Sequence, residues 1–280
     1  MKSLFIKISI VIILLVAAVV FVGMPYLNKS LLENETDFIL ENKSKVKPIS
    51  FRSNGFSKLP SVVKKYLRKN ITNTSNSPQY CRYNVLGKIK ENQNSDWLDI
   101  TSQNYYLASA SNFIKVIESK KNYPFWTVTI NKYINNKATT ESKLLASIPT
   151  YDFAGNKLSR SYLVLYLLES VFCPTVLLPD MNVSWKAIDN SRALATIWDD
   201  NLKGSAVFHF NEKNQVVKIV TDDRYMPGAI DYNKEKFTIH FANYKNVGNF
   251  NIPTYFEYEW NLASGDFTFG RFYITEITYE

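Results

Sequence analysis

The stretch Ser161–Asp180, SYLVLYLLESVFCPTVLLPD, limits what this chain can become more than any other. A helix that spans a bilayer needs about 20 apolar residues. Here the apolar run that starts at Tyr162 stops at Glu169, and Pro174 follows soon after. A proline inside a helix costs about 3 kcal/mol, and a carboxylate at mid-membrane is also costly. The segment therefore reads as a helix buried in a globular domain, from Ser159 to about Phe172. It begins after the turn AGNK and ends before Pro174. Apolar residues surround most of its circumference, so it lies deep in a core. An acid placed there must be paired, hydrogen-bonded or neutral. Arg224 and Arg271 are the expected partners.

The sequence on either side of this helix has the period of strands. CRYNVLGKIK, WLDITSQNYYLA, NFIKVIES and FWTVTINKYI precede it. ALATIWD, SAVFHFN, QVVKIVTDD, KFTIHFANYKN, TYFEYEWNL and FTFGRFYITEITYE follow. Aromatic and β-branched residues alternate with polar ones, and short turns separate the runs, as near Lys213-Asn214. Consecutive strands joined this way make an antiparallel sheet. The expected class is α+β: a strongly curved antiparallel sheet, or half-barrel, of about ten strands, with two helices on its concave side. The second helix is SKLPSVVKKYLRKN. Its residues Leu59, Val62, Val63, Tyr66 and Leu67 share one face, and Lys64, Lys65, Arg68 and Lys69 mark the other.

The amino-terminal segment Leu4–Met24 is apolar except for Lys7 and contains no proline. It is long enough for a transmembrane helix. Lys2 and Lys7 favour a cytoplasmic amino terminus. A cleaved signal peptide is the alternative. The expected layout is an anchor over 1–27, a polar linker over 28–57 and an antiparallel domain over 58–280. That layout implies a single-pass protein of the bacterial inner membrane, with its domain on the periplasmic or extracellular side.

Formal charge is +8, concentrated near the anchor. Residues 1–90 hold 15 Lys and Arg against 4 Asp and Glu. Such a segment is either a solvated face or one held against anionic lipid, where each well-placed cation contributes about 1 kcal/mol. Nothing in it resembles a nucleic-acid module, so no nucleic-acid partner is expected. Cys81 and Cys173 are too few for a disulfide framework or a zinc site, and neither metal nor cofactor is expected.

No G-x-S-x-G elbow, P-loop, G-x-G-x-x-G turn or H-E-x-x-H helix occurs. His209 and His240 sit alone on strands, and no catalytic residue is assigned. What remains is a polar set within an apolar second half: Glu169, Trp185, Asp189, Asp222, Asp223, Arg224, Glu257, Glu259, Trp260 and Arg271. It reads as a buried network that fixes helix to sheet, or as a ligand-orienting cluster. Two of its carboxylates with separated pKa values would serve a hydrolase.

The order of LPSVVKKYL, YPFWTV, SRSYLVLYLLESVFCPTVLLP, WKAID, DDRY and IPTYFEYEW resembles a bacterial family of membrane-anchored proteins of unknown function. The resemblance runs from Leu59 to Tyr279. Lys65 stands where that family has Arg, Phe172 where it has Trp, and Val164 and Leu165 make the helix more apolar. The family carries no assigned catalytic residues. At the level of fold the pattern also resembles periplasmic lipoprotein-carrier half-barrels, which implies a concave face that takes acyl chains. Three readings stand: a module that binds a hydrophobic ligand, an enzyme that uses Glu169, and an envelope scaffold that binds another protein.

Overall fold

The computed structural model describes residues 2–19, 37, 55–72, 78, 80–108, 110–122, 125–146, 148–178, 182–227 and 231–280. The linker 28–57 and the final residues of the expected anchor lie almost wholly outside them. Helix α1 covers Lys2–Ala18 with its apolar side chains exposed. Among the described residues no helix is long and apolar enough to cross a membrane. Helix α2 covers Ser61–Asn70.

Six strands follow: β1 (Tyr80–Ile89), β2 (Leu98–Leu107), β3 (Asn112–Asn122), β4 (Phe125–Ile134), β5 (Lys137–Leu144) and β6 (Ile148–Ala154). Helix α3 (Asn156–Glu169) and two 3-10 turns, Ser170–Phe172 and Pro174–Leu177, come next. Then come β7 (Val183–Ala187), β8 (Arg192–Asp199), β9 (Leu202–Phe210), β10 (Val216–Pro227), β11 (Tyr232–Val247), β12 (Phe250–Leu262) and β13 (Gly265–Tyr279).

All these strands join one antiparallel sheet in the order β6-β5-β4-β3-β2-β1-β13-β12-β11-β10-β9-β8-β7. It is two meanders zipped together where β1 pairs with β13. Because β6 and β7 are the opposite edges, the segment between them must cross the sheet. α3 makes that crossing, and its apolar circumference is buried on every side. It packs against β4 and β5 from one meander and β8 to β11 from the other. The sheet curls around it until side chains from far-apart strands meet. Tyr133 donates to Asp199 Oδ2 at 2.7 Å, and the Tyr151 and Tyr232 hydroxyls lie 2.8 Å apart. The expected half-barrel with a buried central helix is the architecture found.

Three details differ from expectation. The sheet has thirteen strands rather than about ten. The additional ones, β5, β6 and β7, lie at the two edges of the sheet. There all side chains but Ala138 and Val183 are half-buried or exposed, so a two-sided apolar pattern has no reason to exist. Of the two helices expected there, α3 occupies the concavity, continued by the buried turns that follow it. α2 instead caps one end, where Tyr66 packs on Phe210 and Asn70 donates to the carbonyl of Asn214 at 2.9 Å. Val62, Val63, Tyr66 and Leu67 are buried there, while Lys65, Arg68 and Lys69 face solvent. Finally, α3 begins at Asn156, immediately after Gly155, whose φ of 144° starts the helix abruptly. Its last turn tightens into the 3-10 segment Ser170–Phe172.

Where α3 meets β9 the approach is close. A Cβ at Gly204 would collide with the Val164 side chain, so glycine is what lets helix and sheet touch.

Candidate functional site

Glu169 is the last residue of α3 and is 1% exposed. The alternation of the strands aims four side chains at it. Tyr83 of β1 donates to Oε2 at 3.0 Å, and Tyr106 of β2 donates to the same oxygen. Lys115 of β3 and Tyr258 of β12 both donate to Oε1. The Lys115 ammonium also lies 3.4 Å from the Tyr258 hydroxyl. An ionised carboxylate only accepts hydrogen bonds, and here each oxygen has two donors. Breaking this cluster would strand a buried charge.

The electrostatics follow from the burial. Desolvation pushes the Tyr83, Tyr106 and Tyr258 phenols well above their ordinary value, and the Glu169 charge adds to that shift. They stay protonated and keep donating. Desolvation pulls the Lys115 ammonium down, opposed by its attraction to Glu169.

Arg224 and Arg271, the expected partners, do not reach Glu169. The partner is Lys115, because the inward face of β3 passes the end of α3 and the two arginines sit elsewhere. Arg224 is buried beside the middle of α3. It donates to the Ser161 carbonyl at 2.9 Å, and its guanidinium lies 4.8 Å from the Phe237 ring and 5.8 Å from Trp260. Arg271 points to the convex face, with its Nε 3.3 Å from Glu257.

The rest of the polar set is likewise dispersed. Trp185 donates its indole N–H to the Leu177 carbonyl at 3.2 Å and packs on Phe208. Asp189 lies on an exposed turn, where the Ser191 N–H and the Arg192 guanidinium lower its pKa to about 2. Asp222 faces solvent near Lys236. Asp223 accepts from the Ser205 N–H and pairs with Lys234 at 2.8 Å. Glu259 meets His240 at 3.3 Å. Trp260 packs edge-on against Phe237 at 4.8 Å. Hence none of these carboxylates converges on Glu169, and the acid–base pair of the hydrolase reading is not assembled among the described residues.

Sequence reasoning missed Lys115, Tyr83, Tyr106 and Tyr258. The legible signal was Lys115: in NFIKVIES it alternates with Phe113 and Ile117, which places a lysine on the inward face.

A second location has room for a ligand. A groove of about 510 Å³ lies between the β1–β2 loop and the β12–β13 hairpin. Its centre is Trp97, with the Arg271 guanidinium 4.8 Å and the Lys90 ammonium 5.4 Å from the ring. Asp266 and Thr268 also line it.

No curated protein matches the chain. Its fold is similar to three solved structures. A domain from Vibrio parahaemolyticus named for outer membrane lipoprotein sorting is 10% identical, with a TM-score of 0.45 over 80% of this chain and 93% of that one. A LolA superfamily protein from Nitrosomonas europaea is 9% identical, with a TM-score of 0.39 over 79% and 92%. A DUF1329 family protein from Desulfovibrio piger is 9% identical, with a TM-score of 0.41 over 81% and 94%. Residues 49–272 match DUF6544, a family of unknown function, and the chain belongs to that family.

Proposed function

We propose that this protein is a binding protein of the bacterial envelope. It is tethered to the inner membrane through residues 4–24 and recognises a partner protein through its outer surface, with the domain on the periplasmic or extracellular side. The observation that carries this reading is where free space lies. α3 and its aromatic neighbours pack the concavity, Glu169 is sealed from solvent, and a groove of about 510 Å³ lies on the surface at Trp97. The groove also suits a tethered protein. It lies at one end of β12, and α2, which follows the anchor and carries the basic face, lies at the other. A strand of 13 residues separates them by about 40 Å. Partner recognition by aromatic and arginine side chains in a depression is a common anchor geometry. The test is a photo-crosslinking side chain at Gln93 of the full chain in living cells. Adducts that disappear in Trp97→Ala and Arg271→Ala support the groove. Adducts indifferent to both, or none, sink it.

A hydrophobic-ligand reading is favoured by one specific observation: the inward wall is aromatic over much of its area, with Phe237, Phe256, Trp260 and Phe272 all turned toward the centre. Such a ligand would have to displace α3 from part of that wall. Saturable binding of an environment-sensitive fatty acid, together with a stoichiometric co-purified lipid, would establish it. Absence of both leaves surface recognition.

A further inference from the structure

The two cysteines of the chain are far apart in sequence and together in space. Cys81 is the second residue of β1, and Cys173 lies in the bend between the two 3-10 turns after α3. Both are free and buried. Their surroundings interlock. Cys81 lies opposite Tyr279 of β13 in register, and the Tyr279 hydroxyl donates to the Phe172 carbonyl at 2.9 Å. On the other side of Cys81, the Tyr83 ring packs 5.2 Å from the Phe172 ring. Phe172 is thus gripped by two residues that flank Cys81, which brings the next residue, Cys173, against it. The two thiols are close enough to perturb each other's titration, and Thr175 Oγ1 lies 3.6 Å from the Cys173 sulfur.

We propose that Cys81 and Cys173 are a disulfide-forming pair, oxidised as the chain folds on the oxidising side of the membrane. The compartment rests on the envelope reading above; the pairing rests on the geometry alone. The oxidant is a disulfide-bearing oxidoreductase or a small disulfide. One cysteine of the pair, as its thiolate, attacks one of the oxidant's sulfurs, forming a mixed disulfide and releasing one thiolate. The other cysteine, losing its proton, then attacks the sulfur of the first, closing the bond and releasing the second thiolate. The protein loses two electrons and two protons, and the oxidant becomes a dithiol or two thiols. Because both sulfurs are inaccessible once packed, exchange occurs before the end of α3 docks. The bond would tie that end to the strand at the centre of the sheet.

The experiment uses the full chain in detergent, equilibrated in glutathione redox buffer with mild denaturant to let the core open, then blocked with an alkylating reagent. The expected product is a monomer lighter by two hydrogens that takes no alkyl group until reduced and yields a linked peptide pair containing Cys81 and Cys173. Reduction should lower the wild-type melting temperature by roughly 5–15 °C. Cys81→Ser and Cys173→Ser should melt alike with and without reductant. Two alkylated cysteines after oxidation, glutathione adducts alone, or linked dimers overturn the pairing. A parallel sample alkylated at cell lysis then reports on the compartment: an oxidised pair in vitro with free thiols in cells would sink the envelope location and leave the pairing intact.

Discussion

Two glutamate–cation pairs of this domain teach opposite lessons. Glu169 and Lys115 meet inside the concavity, with side-chain exposures of 0% and 8%. Glu257 and Arg271 meet on the convex face, 25% and 51% exposed. In water an ion pair competes with hydration and salt, and contributes about 0–1 kcal/mol. In the core each charge has lost its hydration, and only its partners restore it. The interior pair is therefore expensive to break from one side, while the exterior pair is nearly free to change. The three tyrosines have the same meaning: they saturate a carboxylate that water cannot reach.

The largest expected effect is at the helix end. Glu169→Ala strands Lys115 and three phenols in the core and should destabilise the domain by about 3–5 kcal/mol in chemical denaturation. A loss below 1 kcal/mol would show that the cluster is not what joins α3 to β1, β2, β3 and β12. Glu169→Gln combined with Lys115→Met should recover part of the loss of either alone, because the pair is removed together.

Alkaline pH attacks the same region without mutation. Tyr83, Tyr106 and Tyr258 have raised pKa values in the folded state, so the stability they contribute is complete below the ordinary tyrosine value near 10 and is lost as pH rises beyond it. Lys115 has the opposite sign: its lowered pKa makes stability rise with pH, and that gain is finished by its ordinary value near 10.5. Above that value the tyrosines alone act. Unfolding should coincide with their ionisation in phenolate absorbance. Ionisation at pH 10 in a chain that stays folded would contradict the sealed cluster.

Tyr106→Phe removes one donor and leaves the carboxylate its others, for an expected loss of about 1–3 kcal/mol. At the small end, Glu257→Gln should change stability by less than about 1 kcal/mol. If it proved as damaging as Tyr106→Phe, the contrast between inside and outside would fail.

How much of this was legible depends on burial. The central helix was readable because apolar residues surround Glu169, and the middle strands because alternation is clear where one face is covered. β5, with its sequence KATTESKL, was not readable, because apart from Ala138 its side chains are half-buried or exposed and its sequence shows no apolar face. That Glu169 needs a partner followed from desolvation. That the partner is Lys115 depended on which strand passes the end of the helix, a consequence of topology that no local spacing encodes. The dispersal of Asp189, Asp223 and Glu257 has the same origin.

The pairing of β1 with β13 also sets an order of events during synthesis. β1 finds its second neighbour only when β13 arrives, so the seam cannot close until Gly265–Tyr279 has been made. Until then β1 has an open edge, and the interior donors from β1 to β3 wait beside Glu169 for Tyr258 of β12. Contacts of such sequence separation form slowly. A chain stopped short of Gly265 would keep that edge bare and offer it to other chains. For this architecture β13 is a completion signal: its arrival joins two adhesive half-sheets into one.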